Sequence, residues 1–233
     1  MKMIRSILDD PFVPIQWGAN TKGMQAKGEI AEWKKPIAKF LWLAAMYFMI
    51  GVVLILHWLG LHKQVANRLL EPWMHITVLI TSTQWSNFLA LRDHPDAEPH
   101  IQVLAREIRK ALDSAHVQIL QPGDWHLPWI TDAEAATYSL DQLKNLSVAR
   151  NASTSYKTVD GYDMSIEKAQ EIWTKMFTSP IHASPFEHVF QMDEGRKIDY
   201  PDDFYVVWAH PKKGGNLGEG VVQLRKTLPG ECL

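Results

Sequence analysis

An apolar run, FLWLAAMYFMIGVVLILHWLGL, extends from Phe40 to Leu61, 22 residues without one Lys, Arg, Asp or Glu. As a helix it is about 33 Å long, enough to cross the hydrocarbon core of a bilayer. Pro36 is placed to open that helix near its first turn, and Gly60 to close it. Ahead of it, residues 1–30 are rich in Gly, Pro, Asn and Lys, which favours irregular structure after a short first helix. Behind it, HKQVANRLLEPW reads as helical up to Pro72. MHITVLITST (74–83) is β-branched and reads as a strand. The segment 86–115 carries one long helical pattern, whose later part sets Ile101, Leu104, Ala105, Ile108 and Leu112 on a single stripe. QPGDWHLPW is turn-rich. TDAEAATYSLDQLKNLSVARNAS reads as two short helices, with Thr131 or Asp132 as the N-cap ahead of Glu134. SIEKAQEIWTKMFTS is an amphipathic helix capped by Ser165. The tail from Phe204 reads as two short strands around a glycine-rich turn. Separated helices and strands in this order predict an α+β fold, helix-rich with a small mixed or antiparallel sheet, in one domain over 1–233.

Composition narrows the classes. A chain of 233 residues has ample material for a core. Its formal net charge of -2 provides no global basic field for nucleic acid. The single cysteine, Cys232, excludes an intrachain disulfide, which suits a reducing cytoplasm. The opening MKMIRSILDDPF lacks the apolar region of a secretory signal. Ten tryptophans imply large flat apolar surfaces in a core, an interface or a ring-binding pocket.

Candidate chemistry is sparse. No P-loop, dinucleotide fingerprint or zinc spacing occurs. His57 and His62 are five apart, and His94 and His100 six apart. Neither gap sets two ligands on one helical face, so no metal is expected. Arg68 lies in NRLLEP and Arg92 ends NFLALR. A guanidinium at either place needs a carboxylate partner, such as Glu71 or Asp93, or is kept for an anion such as phosphate. SPFEH (184–188) sets a hydroxyl, a carboxylate and an imidazole around a turn, equally the pattern of a capping box or local turn network. SVARNASTSY (147–156) equally fits a small-residue helix packed closely on a neighbour.

Taken together, these segments resemble the flavin-dependent thymidylate synthases. SVARNASTSY followed by SPFEHVF is similar to a motif pair of that family. HKQVANRLLEP followed by TSTQWSNFLALRDHPDAEPHIQVLA resembles its central block (62–116). WHLPW and VVQLRKTLPGE resemble the longer, phage-type members, in which the order is circularly permuted and the SVARNASTSY…SPFEH block (147–233) comes last. The likeness spans nearly the whole chain. It implies a cytoplasmic homotetramer that makes dTMP from dUMP, with the carbon from methylenetetrahydrofolate and the hydride from FAD reduced by NADPH. By position, Arg68 matches an arginine that contacts the nucleotide, and Arg92 the arginine that reaches the dUMP base. Asn87, Ser155, Ser184 and Glu187 match positions that contact FAD.

The departures are specific. The family's Arg-His-Arg signature, which binds dUMP and flavin, is not among these 233 residues. In the permuted form it lies ahead of the stretch like MKMIRSILDDPFVP. RNASTS (150–155) is superficially similar to it, but its place before SPFEH identifies it as the other motif. Ser153 stands where the family usually has Arg, Glu98 where it has Gln, and His100 where it often has Glu. Glu98 would weaken phosphate binding nearby unless it is paired. Three readings follow: a synthase subunit whose signature segment is on a complementary chain, a truncated non-catalytic relative, or a membrane-anchored protein. The positive-inside rule would place Lys22, Lys27, Lys34, Lys35 and Lys39 in the cytoplasm and export everything after residue 61, away from dUMP and NADPH. A membrane span would also split what resembles one globular domain. A helix apolar all round is normally buried, so the apolar face is expected to meet another subunit or the complementary chain rather than a bilayer.

Overall fold

The computed structural model describes residues 2–22, 26, 28–154, 164–177, 181–199 and 203–231. The chain is α+β and forms two compact units, one of residues 1–76 and 85–115, the other of 77–84 and 116–233.

In the first unit, helix α1 (Lys2–Asp9) and helix α2 (Lys35–Trp58) pack with α3 (Lys63–Ala66) and the 3-10 helix Asn67–Trp73. Pro36 does open α2, and Gly60 follows its end with φ +85°. Met46, Ile50 and Val53 lie one helical turn apart and form the inward stripe of α2. They bury against Ile4 and Ile7 of α1 and against Ala66, Leu70 and Trp73. Two indoles lock this core and satisfy their N–H groups inside it. Trp42 donates to the carbonyl of Phe12 at 2.9 Å, and Trp73 donates to the carbonyl of Trp42 at 3.1 Å. HKQVANRLLEP is helical as expected, though it tightens to 3-10 geometry around Pro72, which has no N–H for an α-helical bond.

The opposite face of α2 is bare. Phe40 and Phe48 are each 70% exposed, and Trp58 is 83% exposed. By length and composition the helix Glu32–Trp58 could cross a membrane. The burial expected for an all-round apolar helix is therefore met on one stripe only within the chain.

Two sequence expectations in this region are corrected. The pattern over 86–115 is not one helix but two, α4 (Ser86–Arg92) and α5 (Pro99–Ser114). The break lies where Pro95 and Pro99 cannot supply backbone N–H groups, and Glu98 caps α5 by accepting from the N–H groups of His100 and Ile101. The stripe on α5 buries fully only at Ala105, with Leu104 and Leu112 exposed. MHITVLITST forms no strand among the described residues, because strand propensity becomes a strand only beside a partner. Its far end is held by side chains instead. Thr81 bonds His188 at 2.9 Å, and Thr83 donates to the carbonyl of Leu217 at 2.7 Å.

In the second unit, α6 (Asp132–Thr137) and α7 (Leu140–Ala152) each begin at a capping box, at Thr131 with Glu134 and at Ser139 with Gln142. Helix α8 (Ile166–Met176) is capped by Ser165 as the sequence predicts. Ala149 of α7 and Ala169 of α8 are fully buried in one cluster between the helices, and Ser147 is fully buried with its hydroxyl donating to the carbonyl of Pro128, so the small-residue reading of SVARNAS is the observed one. Strands β1 (Trp125–His126), β2 (Phe190–Met192) and β5 (Val221–Gln223) form one antiparallel sheet in the order β1-β2-β5. Strands β3 (Gly195–Asp199) and β4 (Phe204–Trp208) form a separate antiparallel pair. The two tail strands predicted from sequence exist, but they pair with β2 and β3 rather than with each other. β1, β2 and β3 are too short or too polar to show an alternating signal.

Candidate functional site

SPFEH forms a 3-10 turn, Ser184–His188, with Pro185 in its first turn. Phe186 is fully buried and anchors it, meeting Trp173 and Phe177 edge-on at 4.9 and 5.6 Å between ring centres. Asn151 of α7 ties down the same turn by donating to the carbonyl of Pro185 at 3.0 Å. Its own side-chain oxygen is buried with no partner among the described residues. Three functional groups ride on this turn. The Ser184 side chain is exposed. The Glu187 carboxylate accepts from the Arg225 guanidinium, which also donates to Glu231 at 2.9 Å, while Lys226 donates to Glu231 at 2.7 Å. His188 bonds Thr81, and burial pushes its imidazole below the usual range. His126, stacked on Phe190 at 4.7 Å, is pushed the same way by burial and by the charge His188 would carry. Both rings are therefore neutral near pH 7.

The SVARNAS helix carries a second polar constellation. Arg150 is 5% exposed and grips Glu134 with two bonds, at 2.6 and 2.9 Å, while also donating to the carbonyl of Trp129 at 2.6 Å. Glu134 meanwhile accepts from the backbone and hydroxyl of Thr131. The Arg150 bonds, chiefly, hold the Glu134 carboxyl at about 2. This network links the start of α6 to the end of α7, and it reads as structural. Ser155 lies outside the described residues.

In the first unit, Arg68 is exposed and sits 3.5 Å from Glu71, one turn on. The ordinary ion-pair reading is thus met there, although an exposed pair of this length contributes little. Arg92 behaves differently. Its neighbour Asp93 is already engaged by Arg106 at 3.0 Å and Arg109 at 3.1 Å, both from α5. Those two guanidiniums, Arg106 first, hold Asp93 below the usual carboxylate range. Arg92 itself is exposed at the end of α4, with no ion pair or side-chain hydrogen bond among the described residues. Asn87 is exposed on the same helix. Five residues separate the two, so they project about 140° apart and reach different groups.

Glu98 is not a loose negative charge. Burial opposes its ionisation, but the His100 imidazole at 2.5 Å and the N–H groups it caps outweigh that and hold it low. An open groove of about 330 Å³ in the first unit is lined by Ile15, Gln16, Glu29, Pro99, Gln102 and Val103, none of them a candidate residue. No group of three or more His, Cys, Asp or Glu gathers as a metal site among the described residues.

Arg68, Asn87 and Arg92 thus belong to one unit, and Ser184 and Glu187 to the other. Arg225 did not stand out in the sequence, since its partner Glu187 lies 38 residues away and no local spacing links them. His126 was equally silent.

Neither a family model, nor a curated protein, nor a solved structure matches this chain.

Proposed function

We propose that the chain is a subunit of a flavin-dependent thymidylate synthase that methylates dUMP to dTMP in the cytoplasm. The Arg-His-Arg segment would be supplied from outside these 233 residues, by a complementary chain or by more of the same polypeptide. The observation that carries the reading is Arg92. It is an exposed cation with no partner among the described residues, beside an aspartate that two other arginines already occupy. A guanidinium left unpaired in this way is available to a ligand, and its planar fork suits a uracil carbonyl. In this role Arg92 donates N–H groups to the ring oxygen and draws off negative charge as the ring is attacked. Arg68, on a long side chain with only the weak Glu71 pair to give up, takes the phosphate.

When bound, FAD supplies the hydride it receives from NADPH, and methylenetetrahydrofolate supplies the carbon. The donor set fits FAD in part. In the first unit the Asn87 amide is exposed and able to bond a flavin ring edge or a pyrophosphate, and in the second unit, taken by itself, so is the Ser184 hydroxyl. Glu187 acts through its turn, because its carboxylate is held by Arg225. The homotetramer common in the family is part of the proposal.

The direct test is turnover. The chain, combined with a polypeptide carrying the Arg-His-Arg segment, is expected to form dTMP from dUMP, methylenetetrahydrofolate, NADPH and FAD. No dTMP from a combination that binds FAD would leave a non-catalytic relative instead. Arg68→Ala is expected to weaken dUMP binding about tenfold, because the phosphate loses a charge-assisted hydrogen bond. Its effect on stability should stay within about 0.5 kcal/mol, since the Glu71 pair it removes is exposed. An unchanged dUMP dissociation constant in isothermal titration would reduce Arg68 to its pair with Glu71.

A further inference from the structure

The bare face of α2 has an order that apolarity alone does not require. Ile37, Leu41, Ala44, Phe48, Gly51 and Ile55 follow one another in alternating steps of four and three residues, and Trp58 continues the series. That is the spacing of a helix-pairing seam, and it runs opposite the inward stripe of Met46, Ile50 and Val53. The sizes along the seam are symmetric about Phe48, with a small residue on each side (Ala44, Gly51) and large ones beyond (Leu41 and Ile37; Ile55 and Trp58). Gly51 has no role in the inner packing, because a Cβ there would meet nothing within 4 Å. A glycine in mid-helix costs about 1 kcal/mol relative to alanine, so its place on the outer seam calls for a neighbour at close approach.

We infer that α2 is a self-association helix, pairing antiparallel with α2 of a second copy of this chain, and this does not rest on the synthase reading. Antiparallel pairing about Phe48 sets Ala44 against Gly51 of the other copy, Leu41 against Ile55, and Ile37 against Trp58. Each Phe48 ring enters the hole left by the small residues opposite. A bilayer rewards apolar surface but has no use for a size order that reads the same in both directions. Charge agrees with the antiparallel sense. Lys34 and Lys39, exposed at the start of the helix, face the negative end of the partner helix in this sense, with the exposed Lys63 just beyond it, whereas a parallel pair would set Lys34 and Lys39 of both copies side by side. With Phe40, Tyr47 and Leu54 alongside, the exposed side chains offer roughly 1,000 Å² per copy, against about 800 Å² per partner in a standard interface.

The test uses the full chain in a Cys232→Ser background without detergent. Ala44→Cys and Gly51→Cys chains are co-expressed, oxidised mildly and compared with each variant alone. The mixed sample is expected to yield about tenfold more disulfide-linked dimer than either alone. Phe48→Glu is expected to raise the dimer dissociation constant roughly a hundredfold, because each copy would bury an uncompensated carboxylate. Its circular dichroism should be unchanged, since Phe48 is 70% exposed in the single chain. Equal cross-linking by Ala44→Cys alone would mean parallel pairing and overturn the arrangement. A wild-type chain that sediments as a monomer, or that stays soluble only in detergent and floats with phosphatidylcholine vesicles without the 44–51 cross-link, would overturn self-association.

Discussion

Replacing Arg92 with alanine is expected to lower dTMP formation in the assembled enzyme by about two to three orders of magnitude, the usual cost of one preorganised donor at a developing charge. The fold should not notice. Arg92 is exposed at the end of α4 and holds no carboxylate among the described residues, while the local anchor is Asp93 with Arg106 and Arg109. The urea midpoint of the variant should therefore match the parent, and kcat should fall more than dUMP affinity. Arg92→Lys restores the charge but not the planar fork, so only part of the rate should return. Steady-state kinetics on the three proteins decide the matter. Full activity in Arg92→Ala would remove Arg92 from the chemistry.

Glu134→Ala has the opposite profile, a large loss of stability with no direct part in the reaction. Arg150 is buried, and without Glu134 its guanidinium keeps the carbonyl of Trp129 but loses its bidentate carboxylate. Removing two charge-assisted bonds from a buried guanidinium costs about 1.5–3 kcal/mol. Loss of the return half of the capping box, the Glu134 carboxylate on the Thr131 N–H, adds about 0.5 kcal/mol. Glu134→Ala with Arg150→Met should recover much of the loss, because the buried charge goes too. The pair also sets an acid limit. The Glu134 carboxyl sits at about 2 in the fold against an ordinary value of 4.5. A depressed folded value means the contribution is complete above pH 4.5 and is lost as pH falls from there towards 2. Urea unfolding at about pH 7 and about pH 3 should show this drop in the parent and a smaller one in Glu134→Ala. A loss under about 1 kcal/mol at neutral pH would mean that Arg150 does not depend on Glu134.

The sequence made local structure readable wherever the cause was local. Ser165 and Thr131 announce helix starts because a cap needs only its next three residues. Pro36 and Gly60 bound α2 for the same reason. What stayed hidden depends on partners distant in the chain. MHITVLITST has the composition of a strand, yet no strand among the described residues lies beside it. The join of Glu187 to Arg225 and the pairing of β2 with β5 each cross about thirty residues or more, beyond the reach of any spacing rule. Residue type and place mark both arginines, but only their surroundings in the fold separate them. Arg68 has the carboxylate that the ordinary reading assigned to it, whereas Arg92 lacks the one expected beside it because α5 took Asp93.

Flavin uptake separates a synthase subunit from a chain that binds no flavin. The purified chain is mixed with FAD, alone and together with a polypeptide bearing the Arg-His-Arg segment, and free flavin is removed by gel filtration. A synthase subunit gives a yellow complex with bound-flavin absorbance when the segment is present, weaker or no uptake without it, and bleaching on addition of NADPH. A protein that stays colourless under both conditions would contradict the synthase reading.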